Sequence, residues 1–128
     1  NLKIKNLKKY NELRIKQASH LIKAIKTSNI EIPKLTSDQF SVFHQFPILS
    51  TKRKSLMTHL KKKGINCGIY YPKPLSKMKA FSNKVLRSKV HAKNSEIACN
   101  QILSLPIGPH LNIKDSEYIA NTIQSFSR

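Results

Sequence analysis

Apolar residues recur at helical spacing over residues 2–27: Ile4, Leu7, Ile15, Ala18, Ile22 and Ile25 fall on one face. Lys5, Lys8, Lys9, Lys16, Lys23 and Lys26 fall away from it. The pattern predicts one amphipathic helix. Arg14 breaks it by setting a guanidinium on the apolar side, where it must be paired with a carboxylate or backbone carbonyls, or directed at a ligand. A connector follows from Ser28 to Asp38, punctuated by Pro33, with one possible short strand at Ile30–Ile32. The period then changes to two, and Phe40, Val42, His44, Phe46 and Ile48 share one face of a strand over 40–49. Pro47 cannot donate to a ladder, so this strand is an edge or loses pairing near its end.

Residues 51–63 predict a second helix, N-capped by Ser50 or Thr51 and burying Leu56, Met57 and Leu60. Lys61, Lys62 and Lys63 complement the negative end of its dipole, and Gly64 suits a left-handed stop. A second strand is expected over Ile65–Tyr71, with Ile65, Cys67, Ile69 and Tyr71 on one face and Asn66, Gly68 and Tyr70 on the other. Pro72 and Pro74 end it. Residues 76–91 are basic and weakly periodic, as in a surface loop. A helix near Ala92–Gln101 leads into a short buried strand, Ile102–Pro106. The last helix starts at Ile113, capped by Asn112 with Asp115 in its first turn, and buries Ile119, Ile123 and Phe126. The sum is an α+β fold: a small mixed or antiparallel sheet covered by helices.

At 128 residues the chain has the length of one domain. No apolar run approaches the roughly 18 residues of a membrane span. Nothing resembles a secretory signal, so a cytoplasmic location is expected, and with Asn1 in place of an initiating methionine the natural start is left open. Cys67 and Cys99 form neither a disulfide framework nor a Cys-x-x-Cys pair, and are expected to be reduced, partly buried thiols. The formal net charge of +18 comes from 24 Lys and Arg against six acids. That balance favours polyanions such as nucleic acid or an anionic membrane surface. The charge is spread along the chain, however, without a zinc-finger, RNP-type or homeodomain-like pattern.

Enzyme templates are missing: there is no Gly-x-Gly-x-x-Gly, P-loop, His-Glu-x-x-His or Gly-x-Ser-x-Gly. The five histidines stand far apart with no pair at ligand spacing, so no metal site is expected. His44, on the apolar face of its strand, is either a hydrogen-bonded core histidine or a group at a ligand cleft. Tyr71 shares the apolar face of its strand and reads as packing. Tyr70 points with Asn66 and Gly68 at a proline-braced strand end, where binding groups are often held. Arg53 either meets an anion at the start of its helix or is solvated.

Several short pieces, in order, resemble the C-terminal domain of the DegT/DnrJ/StrS sugar aminotransferases. They are Arg14 to Ala18, Phe43-His44-Gln45-Phe46, Arg53 to Leu56, Gly64-Ile65, Tyr70-Tyr71-Pro72-Lys73-Pro74-Leu75 and Leu103-Ser104-Leu105-Pro106. Each is weak alone; the ordered set is fairly specific. The resemblance implies the small domain of an aspartate aminotransferase-like fold, with 1–28 as a connecting helix and 40–128 as the domain proper. It implies a pyridoxal phosphate enzyme that passes an amino group from glutamate to a nucleotide-linked keto-sugar, as in polysaccharide biosynthesis, with a homodimer as the family form. The cofactor's lysine and main binding residues belong to a larger N-terminal domain that these residues lack. No cofactor is therefore expected on this chain alone, and it carries no catalytic residue of its own. The loop of Tyr70 and Tyr71 resembles the one that approaches cofactor and sugar, so Tyr70, Tyr71 and His44 form the candidate substrate-binding set. Two positions depart from the family: Ser76 stands where a His commonly follows Pro-Leu, and Lys54 replaces the usual acid beside Arg53. The alternatives are a basic module for nucleic acid or anionic membrane, and a regulatory partner of an intact aminotransferase.

Overall fold

The computed structural model describes residues 2–25, 29–32, 34–81 and 93–126, less the side chains of Leu2 and Phe81. The expected helix is present in two pieces, α1 (Leu2–Lys5) and α2 (Leu7–Ala24), which break at Asn6. Lys26 and Pro33 lie outside the described residues. The buried face differs from the predicted one. Gln17, Ala18, Leu21 and Ile25 are buried, whereas Ile4, Leu7 and Ile22 are exposed. The reason is what α2 packs on: it lies against α5 (Ile113–Phe126), and the face so covered includes the buried Leu21 and not the exposed Ile22. Both helices bury small residues, Ala18 on α2 and Ser116 and Ala120 on α5, and such residues permit close approach. The Gln124 amide donates to the Ala24 carbonyl at 2.5 Å and ties the helix ends together.

The sheet has two antiparallel strands, β1 (Phe46–Leu49) and β2 (Ile102–Leu105), with Phe46 opposite Leu105 and Ile48 opposite Leu103. It is extended on both sides by single bridges. Glu31 exchanges hydrogen bonds with Leu49 (2.9 and 2.8 Å), and Gly68 exchanges them with Ser104 (3.1 and 2.8 Å). The antiparallel order is therefore Glu31, β1, β2, Gly68. Each bridge fixes which backbone groups face outward. Because Leu49 points its N–H and C=O toward Glu31, Pro47, two residues earlier, also faces away from β2. Its missing N–H costs no bond between the strands.

Both predicted strands are shorter than their apolar alternation. Residues 40–45 are irregular, with Phe40 80% exposed and Phe43 at φ +48°. Residues 65–71 contribute only the bridge at Gly68. Period-two spacing marks a strand only where a neighbouring backbone is available to pair, and β2 spans four residues.

Helix α3 (Arg53–Lys62) buries Leu56 and Leu60 against the sheet and α5, with Met57 half-buried. The Ser50 hydroxyl accepts from the Lys52 N–H at its start. It ends in a Schellman turn: Gly64 N–H bonds Lys61 O, Ile65 N–H bonds Leu60 O, and Gly64 takes φ +76°. Helix α4 (Lys93–Gln101) leads straight into β2; residues 82–92, most of the predicted basic loop, lie outside the described residues. At the start of α5, Asn112 Oδ1 accepts from Asp115 N–H while Asp115 Oδ2 accepts from Asn112 N–H, a reciprocal capping box. Ile119 and Ile123 are buried and Phe126 is half-buried. The core gathers Leu21, Phe46, Ile48, Leu56, Leu60, Leu103 and Ile123. Each such side chain contributes about 1.5–3 kcal/mol by leaving water.

Candidate functional site

A cavity of about 280 Å³ opens where three segments meet: the approach to β1, the end of β2, and the loop after α3. His44 and Gln45 come from the first, Ser104 to Ile107 from the second, and Asn66, Gly68 and Tyr70 from the third.

His44 reaches the cavity because of its predecessor. Phe43 adopts the left-handed region at φ +48°, costly for a bulky side chain, and its N–H bonds the Ser41 hydroxyl at 3.1 Å. Its ring packs 6.0 Å from that of Phe46, so the aromatic turns inward and the next side chain is turned out. His44 is exposed, which removes the core-histidine alternative and leaves the one at a cleft.

Tyr70 is 46% exposed and its ring lies over Gly68. A Cβ at Gly68 would stand 2.5 Å from the ring's Cε2 and Cζ and 2.6 Å from its hydroxyl. Tyr71, joined to Tyr70 by a cis peptide bond, points elsewhere: it is 70% exposed and lines no part of the cavity. Its assignment as a packing residue does not hold, because the strand that would have given it an inner face stops at Gly68. Of the three candidates, then, the fold brings His44 and Tyr70 to one cavity and leaves Tyr71 outside.

Ser104 was not among them. It is 5% exposed, and its backbone N–H and C=O are both taken by Gly68. Its Oγ is buried without a hydrogen-bond partner among the described residues, as is His20 Nε2. A lone hydroxyl between two leucines in a buried strand is the signal that could have singled it out, since such a group needs a partner.

Arg14 and Arg53 serve the structure. Arg14 donates to the Asn11 side-chain carbonyl at 3.4 Å, neither a carboxylate nor a backbone group. Arg53 is half-buried, and its Nη1 donates to the Cys99 and Ile102 carbonyls at 2.5 and 3.5 Å, which closes the α4–β2 junction. It is therefore neither solvated nor aimed at an anion. Burial pushes the Cys67 thiol up to about 11, away from the range of a reactive thiolate. Among the described residues no three His, Cys, Asp or Glu side chains converge as metal ligands, and no helix is long and apolar enough to cross a membrane.

The family model of the DegT/DnrJ/EryC1/StrS aminotransferases matches residues 1–124. Among curated proteins, the chain is 30% identical over 130 residues to the "pleiotropic regulatory protein" of Geobacillus stearothermophilus, covering 99% of this chain and 35% of that one. It is 29% identical over 119 residues to the UDP-N-acetyl-3-dehydro-alpha-D-glucosamine 3-aminotransferase of Acidithiobacillus ferrooxidans, covering 93% and 31%. Among solved structures, a DegT DnrJ EryC1 StrS aminotransferase from Brucella abortus superposes with a TM-score of 0.88 at 30% identity, covering 98% of this chain and 33% of that one. The chain thus spans about a third of the length of the relatives it matches.

Proposed function

The chain belongs to the DegT/DnrJ/EryC1/StrS aminotransferase family, and we propose that it is the small domain of an enzyme that transfers an amino group from glutamate to a nucleotide-linked keto-sugar. Its task is to close over the sugar while the chemistry proceeds on a larger cofactor-binding domain. The observation that carries this is the lining of the cavity. Among the described residues, no Lys or Arg lines it, nor does any carboxylate. Its polar groups are an imidazole, two amides, a phenol and an alcohol. A mixed set of neutral donors and acceptors beside an aromatic ring suits a polyhydroxylated ring; a phosphate would call for cations.

Pyridoxal phosphate, the family's cofactor, supplies an electron sink for amino transfer when bound. The described residues around this cavity do not fit it: they offer no amine to form an imine, no cation for its phosphate and no carboxylate for its ring nitrogen. We therefore place the cofactor on the larger domain. Residues 1–28 then act as the connecting helix, with exposed Ile4, Leu7 and Ile22 covered by that domain. A homodimer in the cytoplasm completes the proposal. Residues 1–128 alone are expected neither to bind pyridoxal phosphate nor to transaminate. The test is an absorbance titration with the cofactor: an imine band that disappears when one lysine is replaced would sink the proposal.

A second function has one feature in its favour. Lys54, Lys62 and His59 line a groove of about 390 Å³ between α3 and Phe126, with no acid in its lining among the described residues. Binding of nucleic acid there would weaken steeply with salt, whereas docking onto a large aminotransferase domain would not. An oligonucleotide titration at two salt concentrations separates the two.

A further inference from the structure

The segment that carries Tyr70 is a short arm fastened at both ends to one continuous element, α4 running straight into β2. At its near end Gly68 exchanges backbone hydrogen bonds with Ser104 of β2, and Ile69 packs against the core. At its far end Lys77 Nζ meets Glu96 Oε2 of α4 at 2.7 Å. Arg53 closes the α4–β2 junction, so both anchors sit on one frame. Between them the arm is stiff. The rings of Pro72 and Pro74 fix their φ, and Leu75–Lys77 is a 3₁₀ turn in which the Lys77 N–H bonds the Pro74 carbonyl at 3.0 Å. Among the described residues, Lys77–Glu96 is the one hydrogen bond or ion pair that joins residues 70–77 to the rest of the chain. Tyr71 and Leu75 are largely exposed, so packing adds little.

We propose that Lys77 and Glu96 are positioning residues for Tyr70: their ion pair holds the arm against α4 and so keeps the phenol ring over Gly68 at the cavity. The ligand rests on the sugar-binding function given above; the positioning does not. A stiff arm passes the release of its far end back to Tyr70. Among the described residues that line the cavity, Tyr70 alone belongs to the arm, so an open arm removes one wall and leaves the others standing. The paired side chains are 58% and 41% exposed. An ion pair this exposed shifts an equilibrium by about two- to fivefold, and salt screens it. The arm can therefore swing out without unfolding the core. Salt then enters the binding of an uncharged ligand, although no Lys, Arg, Asp or Glu among the described residues lines the cavity.

NMR of the full 128-residue chain reads the arm directly. A Cβ at Gly68 would stand 2.5 Å from the Tyr70 ring, so the ring-current shift of the Gly68 Hα reports how often the ring is docked. Lys77→Met leaves Glu96 in the first turn of α4, where the helix dipole favours it, so the helix keeps its start. This variant is expected to lower the docked-to-open ratio about two- to fivefold. The Gly68 shift should shrink and the ¹⁵N heteronuclear NOEs of residues 70–77 should fall, at an unchanged melting temperature. Lys77→Arg keeps the charge and should keep the parent's values. High salt should move the parent toward Lys77→Met and leave Lys77→Met where it is. Methyl N-acetylglucosaminide should bind Lys77→Met more weakly by the same factor. A Lys77→Met chain that matches the parent at Gly68 and over residues 70–77 overturns the inference, as does an equal loss in Lys77→Arg or a salt response that survives in Lys77→Met. A parent chain that ignores the sugar while its Gly68 shift follows the ion pair supports the positioning and counts against the sugar-binding function alone.

Discussion

Replacing Gln17 with alanine removes a clamp that joins α2 to the turn before α5. Gln17 is 2% exposed, and its amide nitrogen donates to the Gly108 carbonyl at 2.9 Å and the Leu111 carbonyl at 2.5 Å. Its side-chain oxygen accepts from the Gly108 N–H at 3.2 Å. Alanine leaves the Gly108 N–H and the Leu111 carbonyl without these partners, while the Gly108 carbonyl keeps its bond from the Leu111 N–H at 3.0 Å. Gly108 is buried, so its N–H bears the full penalty, about 1–3 kcal/mol. Leu111 is half-buried and water can reach its carbonyl, so its share is small. The expected loss is about 2 kcal/mol, a sizeable part of a stability of about 5–15 kcal/mol. It should lower the melting temperature by roughly 10 °C. Urea unfolding of the parent, Gln17→Ala and Gln17→Met gives the answer through the midpoints at constant slope. Methionine has similar bulk and cannot make the bonds, so it should cost nearly as much as alanine. A Gln17→Met chain within about 1 kcal/mol of the parent would refute the reasoning, because bulk alone would then account for the site.

Arg53→Met should cost about 1.5–3 kcal/mol in the same assay, since a charged donor to two carbonyls is lost at the α4–β2 junction. Arg53→Lys should recover only part of this, because an ammonium lacks the planar fork; full recovery would contradict the assignment. For Cys67, burial raises the thiol from 9.0 to about 11. In a Cys99→Ser chain at pH 8, its reaction with a disulfide reagent should be about a hundredfold slower folded than in urea, the ratio of thiolate populations; equal rates would rule this out. The folded state favours the neutral thiol, so its contribution to stability is present below pH 9 and is lost as the pH rises toward 11.

Much of the fold was legible because local chemistry dictates it. Gly64 ends α3 in a left-handed turn, and Asn112 with Asp115 starts α5, as their residue types require. The apolar spacing of Leu56 with Leu60 and of Ile119 with Ile123 marks faces that are indeed buried. The ordered motifs from Arg14 to Pro106 were enough to indicate the family, and the family match over residues 1–124 agrees.

Other features depended on which surfaces meet. The apolar stripe of residues 2–27 shows that a face exists; only α5 selects Leu21 over Ile22 and leaves Ile4 and Leu7 bare. Alternation over 40–49 and 65–71 is compatible with strands, but a strand needs a partner's backbone groups, and β2 supplies them only to Phe46–Leu49 and Gly68. The short pairing in turn decides the site. It frees His44 and Tyr70 to line a cavity, leaves Tyr71 in solvent, and buries Ser104 with its hydroxyl unpaired. Caps, stops and periodicity act within a few residues, so the sequence alone determined them. The cavity depends on bringing together the segments that carry His44, Tyr70 and Ser104, tens of residues apart in the chain, and only tertiary packing decides that they meet.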